Sequence, residues 1–480
     1  MPAVSDDRGL VSAACLRQLV VEEARWLAAE GSQRFALLAA NGRGWAITDL
    51  ALLHAGLVNV PLPHHFGADQ TRHALDSAGV ETILTDTPDR ITALDLGFRE
   101  GPISPRTHLV LLTRRGHDEP LPALPAGTAK ITYTSGSTAE PKGVCLTQQT
   151  LDAVAGSVAA VARQAGIRKH AALLPLSTLL ENVAGMYAAW LGGVTCELAS
   201  DVPAAIARGT LSPPLLLAFL QRHQPESVIL VPELLRILVT GAEAGWQPPQ
   251  AAKFFAVGGA CVSRELLERA AAVRLPVFEG YGLSECGSVQ CLNTPLAERP
   301  GSVGRALPHA RVRIDARGEI HIGGAIMGGY VGQAAPSPDA EIATGDLGEI
   351  DADGFVYVSG RIKNLFINSY GRNISPEWVE RELTQEPAIG HAVALGEARP
   401  YLVALVTPSH PAVDRGALDA AVANANVRLP DYARVIRFAV AEPFTVANGL
   451  LTGNGRPRRE RILERHAPAI NELYWQALAS

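Results

Sequence analysis

The spacing of apolar and polar positions changes several times along the chain. Between about Arg34 and Asp86, the runs FALLAAN, ITDLALLHAGLVNVPL and TRHALDSAGVETILTD alternate short continuous apolar stretches with amphipathic segments of helical period. Such alternation predicts parallel strands covered by helices. It returns at ESVILVPELLRIL and at KFFAVGGACVSRELLERA, where glycines mark the strand-to-helix turn, so two related α/β lobes are expected. From about Gly304 the texture becomes short alternating strands with Gly-rich turns, RVRIDARGEIHIGG and GEIDADGFVYVSG, which predicts a compact β-rich subdomain. After Gly360 an HAVALGEARPYLVALVTP hairpin pattern lies between helical stretches and predicts a small α+β domain. The expected fold is therefore α/β, with a large N-terminal domain at residues 1–360 made of two α/β lobes plus a β-rich subdomain. A small, mobile α+β C-terminal domain follows at 361–480, with the boundary at Arg361 to Asn364.

Composition narrows the class. A chain of 480 residues exceeds one ordinary core, and 47% apolar with 19% charged residues suits a globular enzyme. A net charge of -6 and the lack of any basic run with interleaved aromatics argue against nucleic acid as a partner. The six cysteines form no C-x-x-C pair and no cleavable signal pattern opens the chain, so a reducing, cytoplasmic setting is expected. The longest apolar stretch, Ala171 to Val194, is interrupted by Pro175, Glu181 and Asn182. No transmembrane helix is expected there, which leaves weak association with a membrane surface open. The lysines are Lys130, Lys142, Lys169, Lys253 and Lys363, so none lies beyond Lys363.

The densest chemical signal is TSGSTAEPKG, Thr134 to Gly143, directly after the β-prone Ile131-Thr132-Tyr133. Gly136 and Gly143 let the backbone approach an anion, and the hydroxyls of Thr134, Ser135, Ser137 and Thr138 add hydrogen bonds. Lys142 adds a positive charge, whereas a flexible linker of the same composition would need neither the lysine nor the Pro-Lys-Gly. The Walker A spacing is absent. The string resembles the phosphate loop of the acyl-adenylate-forming superfamily, which includes acyl- and aryl-CoA synthetases, adenylation domains of peptide synthetases, and luciferases.

Further motifs extend the resemblance in the same order along the chain. Ala55, Gly56, Pro61 and Leu62 match an early element, and Tyr281-Gly282-Leu283-Ser284-Glu285 resembles the Y-G-x-[ST]-E element. The resemblance implies that Tyr281 stacks near adenine, Ser284 reaches the α-phosphate and Glu285 coordinates Mg²⁺. Magnesium suits such a site because it takes one or two protein carboxylates while phosphates and water complete its shell. Gly259 and Ala260, in Val257-Gly258-Gly259-Ala260, resemble the strand end that presents backbone to adenine and to the acyl chain. Gly318 to Tyr330 and Thr344-Gly345-Asp346 resemble the segments leading to the ribose site, where Asp346 would accept from both ribose hydroxyls and Arg361 would contact ribose or phosphates. Lys363 falls at the family's interdomain hinge, and Gly371 to Glu380 resembles the element beyond it, with Arg372 in place of the usual Glu.

The chain departs from the pattern at two places. Leu451 to Arg456 resembles the terminal L-T-x-x-x-K element, but Arg456 stands where the adenylation lysine is expected. Arginine keeps the charge in a planar fork of different reach. Three readings follow: Arg456 does the work more slowly, adenylation depends on the N-terminal contacts, or the chemistry differs. In Leu174-Pro175-Leu176-Ser177-Thr178, Thr178 replaces a common His or aromatic; nearby Met186, Tyr187 and Trp190 are candidates for an acyl pocket or plain core.

The resemblance is strongest to fatty acyl-CoA synthetases. It implies ATP-dependent activation of a carboxylic acid to acyl-AMP with pyrophosphate release, then transfer to CoA, with ATP, Mg²⁺ and CoA required. Lys142, Thr138, Glu285 and Arg456 would carry catalysis. A monomer or homodimer is expected. The alternatives are transfer to a carrier protein, an amine or another nucleophile, and a nucleotide-binding homologue that has lost turnover.

Overall fold

The computed structural model describes residues 2–114, 121–134, 141–260, 262, 264–337, 339–362, 366–367, 373–397, 399–452 and 457–475. Two large sheets form the N-terminal lobes. In the first, strands Arg34–Leu38, Val58–Pro61 and Thr82–Thr85 run parallel, and the hairpin of Thr128–Thr134 and Lys142–Thr147 closes one side. The helices Arg43–His54 and Ala68–Ser77 cover this sheet between its strands, as the alternating pattern predicts. In the second, Lys169–Ala171, Ser227–Leu230, Phe254–Val257 and Val277–Tyr281 are parallel neighbours. The central strands Ser227–Leu230 and Phe254–Val257 are short and buried almost throughout, as strands covered on both faces of a parallel sheet must be.

The stretch Ala171 to Val194 folds as a strand end, a loop and then a π-helix, Leu180–Tyr187, continued by the short helix Ala188–Gly192. Its polar interruptions explain why it is internal to a globular lobe. Glu181 and Asn182 are buried and each bonds to a different sheet. Among the described residues no helix is long and apolar enough to cross a membrane. Met186 and Tyr187 belong to the apolar core and Trp190 packs against it, so this trio is core rather than pocket wall.

The β-rich subdomain is a four-stranded antiparallel sheet of Ala310–Ile314, Glu319–Gly324, Ile342–Ile350 and Val356–Arg361. Beyond it, Ile389–Leu395 and Leu402–Pro408 pair as the predicted hairpin, and Val435–Val440 joins them in parallel. Helices Pro376–Thr384 and Arg415–Arg428 cover that sheet, and the small domain has its own apolar core.

Candidate active site

The parallel strands of the second sheet end together, and their C-terminal ends build the site. Strand Val277–Tyr281 turns sharply after Tyr281 into the single turn Ser284–Cys286. The buried amide of Gln290 staples that turn, accepting the Leu283 N–H at 2.9 Å and donating to the Cys286 carbonyl at 2.7 Å. Gly282 is required by contact, because a Cβ there would lie 1.7 Å from the Ser288 carbonyl oxygen. Gly258 follows the neighbouring strand, where a Cβ would stand 3.1 Å from the Gly280 carbonyl, and Gly259 holds a φ of +80° that favours glycine.

A cavity of about 410 Å³ opens beside these turns. Tyr281, Gly282, Ser284, Glu285, Thr344 and Arg361 line its wall, together with Gly259 and with Thr452 from the C-terminal domain. The Tyr281 hydroxyl donates to Asp346 Oδ2 at 2.7 Å, and Arg361 Nε donates to Asp346 Oδ1 at 2.6 Å. Asp346 is set by its turn: Gly345 takes a φ of +70°, and the Asp346 N–H donates to Thr344 Oγ1 at 3.0 Å. Burial works against the Arg361 charge, but the Asp346 carboxylate outweighs it and holds its pKa above the ordinary value. Burial and then the same carboxylate push the Tyr281 phenol far above its usual range, so it is a fixed donor.

On the neighbouring wall, the Tyr330 hydroxyl donates to Glu285 Oε1 at 3.1 Å. Lys142 Nζ stands 5.4 Å above the Tyr330 ring, a cation–π arrangement that brings this lysine next to the glutamate's partner. Burial, followed by Glu285, raises the Tyr330 pKa. Strand pairing explains the approach, since Tyr330 pairs with Val144 and Lys142 opens the same strand.

Most sequence-predicted residues that can be placed therefore converge. Gly143 is different in kind: a Cβ there would meet Val331, Tyr133 and Ile131 within 3.1 Å, so packing alone demands glycine. Ala260 is half-buried and is not part of the cavity wall. Thr134 ends its strand opposite Lys142. Ser135, Gly136, Ser137, Thr138, Lys363 and Arg456 lie outside the described residues.

The deep part of the cavity is mostly apolar. Ile229 and Ala256 face it from the sheet, Val158 and Ala162 from helix Gln148–Gln164, and Ala184 and Ala188 from the π-helix and its extension. Residues with small side chains leave the space, which explains why bulky Met186 and Tyr187 were poor sequence guides. Sequence reasoning missed His65, His170 and Ser227, which line this cavity together with Thr344 and Thr452 from motifs it had named. Burial and then Arg458 push the His65 imidazole down to about 4, so it is neutral near pH 7. No local pattern marks these positions, because strands far apart in sequence bring them together.

Comparison with known proteins agrees with this geometry. Residues 1–331 match the family "AMP-binding enzyme" and residues 363–478 match "AMP-binding enzyme C-terminal domain". The long-chain-fatty-acid–CoA ligase FadD15 of Mycobacterium bovis is 26% identical across 93% of this chain and 89% of its own length. Among solved structures, the anthranilate CoA ligase AuaEII in complex with anthranoyl-AMP superposes with a TM-score of 0.81 at 16% identity, covering 98% of this chain and 95% of that one. The amide bond synthetase McbA from Marinactinospora thermotolerans gives 0.77 at 22% identity, with 96% of each chain covered. Both superpositions reflect a shared fold, an α/β N-terminal domain with a small C-terminal domain. The matches span nearly the whole length, and the chain belongs to the AMP-binding enzyme family of acyl-adenylate-forming ligases.

Proposed function

We propose that this protein activates a fatty acid with Mg-ATP and transfers the acyl group to the thiol of CoA. The observation that carries this reading is a continuous cavity, polar where Tyr281, Ser284, Glu285 and Arg361 line it and mostly apolar beyond. That arrangement suits a nucleotide at one end and an acyl chain at the other. The similarity to a ligase named for long-chain fatty acids supports the same choice of acid.

Glu285 fits a magnesium ion by its donor chemistry: a carboxylate on the polar wall whose Oε1 has one hydrogen bond, from Tyr330, leaving acceptor sites for a hard cation. Magnesium bound there would offset the charge of the ATP phosphates. Asp346 would hold the ribose hydroxyls with the acceptor sites that Tyr281 and Arg361 leave on its two oxygens. Lys142, with Thr134, Ser135, Gly136, Ser137, Thr138 and Gly143, would cradle the phosphates, and Ser284 would reach the α-phosphate.

In the first half-reaction a carboxylate oxygen of the acid attacks the α-phosphorus, forming the acyl-phosphate bond as pyrophosphate leaves. Arg456 would bridge the two anions where the family uses lysine, which keeps them in line for attack. In the second, the CoA thiol sulfur bonds to the acyl carbon, its proton passes to solvent, and AMP leaves. We assign the domain boundary to Gly360–Arg361, at the end of strand Val356–Arg361, with Lys363 as the hinge for rotation between the two steps.

The test is pyrophosphate release from Mg-ATP across fatty, aryl and small carboxylic acids, each with and without CoA, with Glu285→Ala as control. Release that requires a fatty acid, rises with CoA and falls by about two to three powers of ten in the variant is expected. Acid-dependent release indifferent to CoA would assign a different acceptor, such as a carrier protein or an amine. No release with any acid would replace the ligase reading with that of a nucleotide-binding homologue.

A further inference from the structure

The far end of the apolar chamber is polar. Ser227 begins its strand and pairs in register with His170 on one side and Phe254 on the other. His170 Nδ1 lies 3.0 Å from Ser227 Oγ, and His170 Nε2 lies 2.9 Å from Glu181 Oε1. Glu181 Oε2 accepts the Leu174 N–H at 3.0 Å. Ser227, His170 and Glu181 are 7%, 5% and 0% exposed, yet Ser227 and His170 both line the cavity.

Strand register fixes the depth of this triad. Ser227 pairs with Phe254 and Leu230 with Val257, so Ser227 lies three residues of strand rise, roughly 10 Å, from the strand end that leads into Gly258 and Gly259. The triad is therefore well separated from the nucleotide wall and lies where the tail of a bound acyl chain would end. Its construction is specific. A Cβ on Gly185 would lie 2.2 Å from Glu181 Oε1 and 2.9 Å from His170 Nε2, so glycine at that turn of the π-helix is what lets the pair close.

An acid ending in a plain methyl would place that methyl against a hydroxyl and an imidazole, where an apolar side chain would serve better. We infer that the acid this chamber takes carries a hydroxyl at or near its far end, received by Ser227. This rests on the acid-activating reading above and names the class of acid within it. With Nε2–H donated to Glu181, Nδ1 of a neutral imidazole accepts a hydrogen bond from the Ser227 O–H, which leaves the Ser227 lone pairs to accept from the ligand. With the imidazole charged, Nδ1–H donates to Ser227, whose proton then turns to the ligand. A ligand hydroxyl, both donor and acceptor, is matched in either state. A terminal carboxylate would instead be buried close to the like-charged Glu181.

The test measures binding and turnover separately. Calorimetry compares medium- and long-chain acids with their counterparts hydroxylated near the far end, on the full chain and on Ser227→Ala, and pyrophosphate release gives kcat/KM for the same pairs. One hydrogen bond predicts about a tenfold preference for the hydroxylated acid in the natural chain. The ratio should fall to about one in Ser227→Ala, with an intermediate value in Ser227→Cys. A natural chain that binds both acids equally or favours the plain one, a preference that survives Ser227→Ala, or no binding of any acid overturns the inference. If the binding preference appears but no acid supports pyrophosphate release, the polar floor stands and the ligase reading fails.

Discussion

At the scale of single residues, the sharpest constraint in the site is Gly282. Its missing side chain lets the Tyr281 turn fold back on Ser288, whose backbone carries a φ of +128°. Gly282→Ala must move backbone atoms, because the contact at 1.7 Å is to a carbonyl oxygen rather than to a flexible side chain. Misplacing Tyr281 and Glu285 by about an ångström is expected to cost on the order of a hundredfold in kcat/KM for ATP. Steady-state kinetics on the variant, alongside a melting curve to show that it folds, checks this. The motif around Gly282 was legible in the sequence because a tight turn imposes local chemistry on adjacent residues. The partners of that motif were not, since Tyr330 reaches Glu285 only through strand pairing.

At the scale of elements, the π-helix Leu180–Tyr187 ties the two lobes together. Glu181 bonds His170 of the second sheet, while Asn182 and Tyr187 join Lys130 of the first sheet and Asp49 of the helix Arg43–His54 that covers it. Lys130 is fully buried, donates to Asp49 Oδ1 at 2.7 Å and to the Tyr187 hydroxyl at 3.0 Å, and sits 5.8 Å from the Trp45 ring. Burial lowers its pKa and the Asp49 carboxylate opposes that shift. Lys130→Met would strand a buried carboxylate, so a loss of about 3–5 kcal/mol is expected in urea unfolding. Adding Asp49→Leu should recover part of it, because removing both charges is far less costly than removing one. Polar interruptions in an apolar run showed that this segment was not a membrane span. They did not show its wide helical turn, which places Glu181 and Asn182 toward different sheets.

At the scale of the whole molecule, the C-terminal domain docks on the N-terminal one near Glu279. Helix Pro376–Thr384 packs on strand Val356–Arg361, where Ser375 Oγ donates to the Ser359 carbonyl at 3.3 Å. Burial pushes the Glu279 carboxyl up to about 8, against the opposing effects of the Val262 N–H and of Arg381 from the small domain. An acid whose pKa is raised on folding holds a proton that the unfolded chain has lost. The contribution of this one group to stability is then most favourable below about pH 4.5 and is lost as pH rises through about 8. Glu279→Gln should therefore raise the melting temperature at pH 8 by several degrees and leave it little changed near pH 4.5. An equal effect at both pH values would show that Glu279 does not hold its proton.

The sequence determined by itself what depends on neighbours along the chain. Period-two and helical spacing specified the α/β lobes and the β-rich sheet, and the turns at Gly282 and Gly345 announced themselves by residue type. Tyr281, Glu285, Asp346 and Arg361 were legible for that reason, as was the family they imply. Only the tertiary structure decided what depends on register between distant strands. It turned small side chains such as Ala184 and Ala188 into an open chamber, put Met186 and Tyr187 into core, and set Ser227, His170 and Glu181 at the chamber's far end. A cavity is the space several elements leave between them, and no single stretch of sequence encodes it.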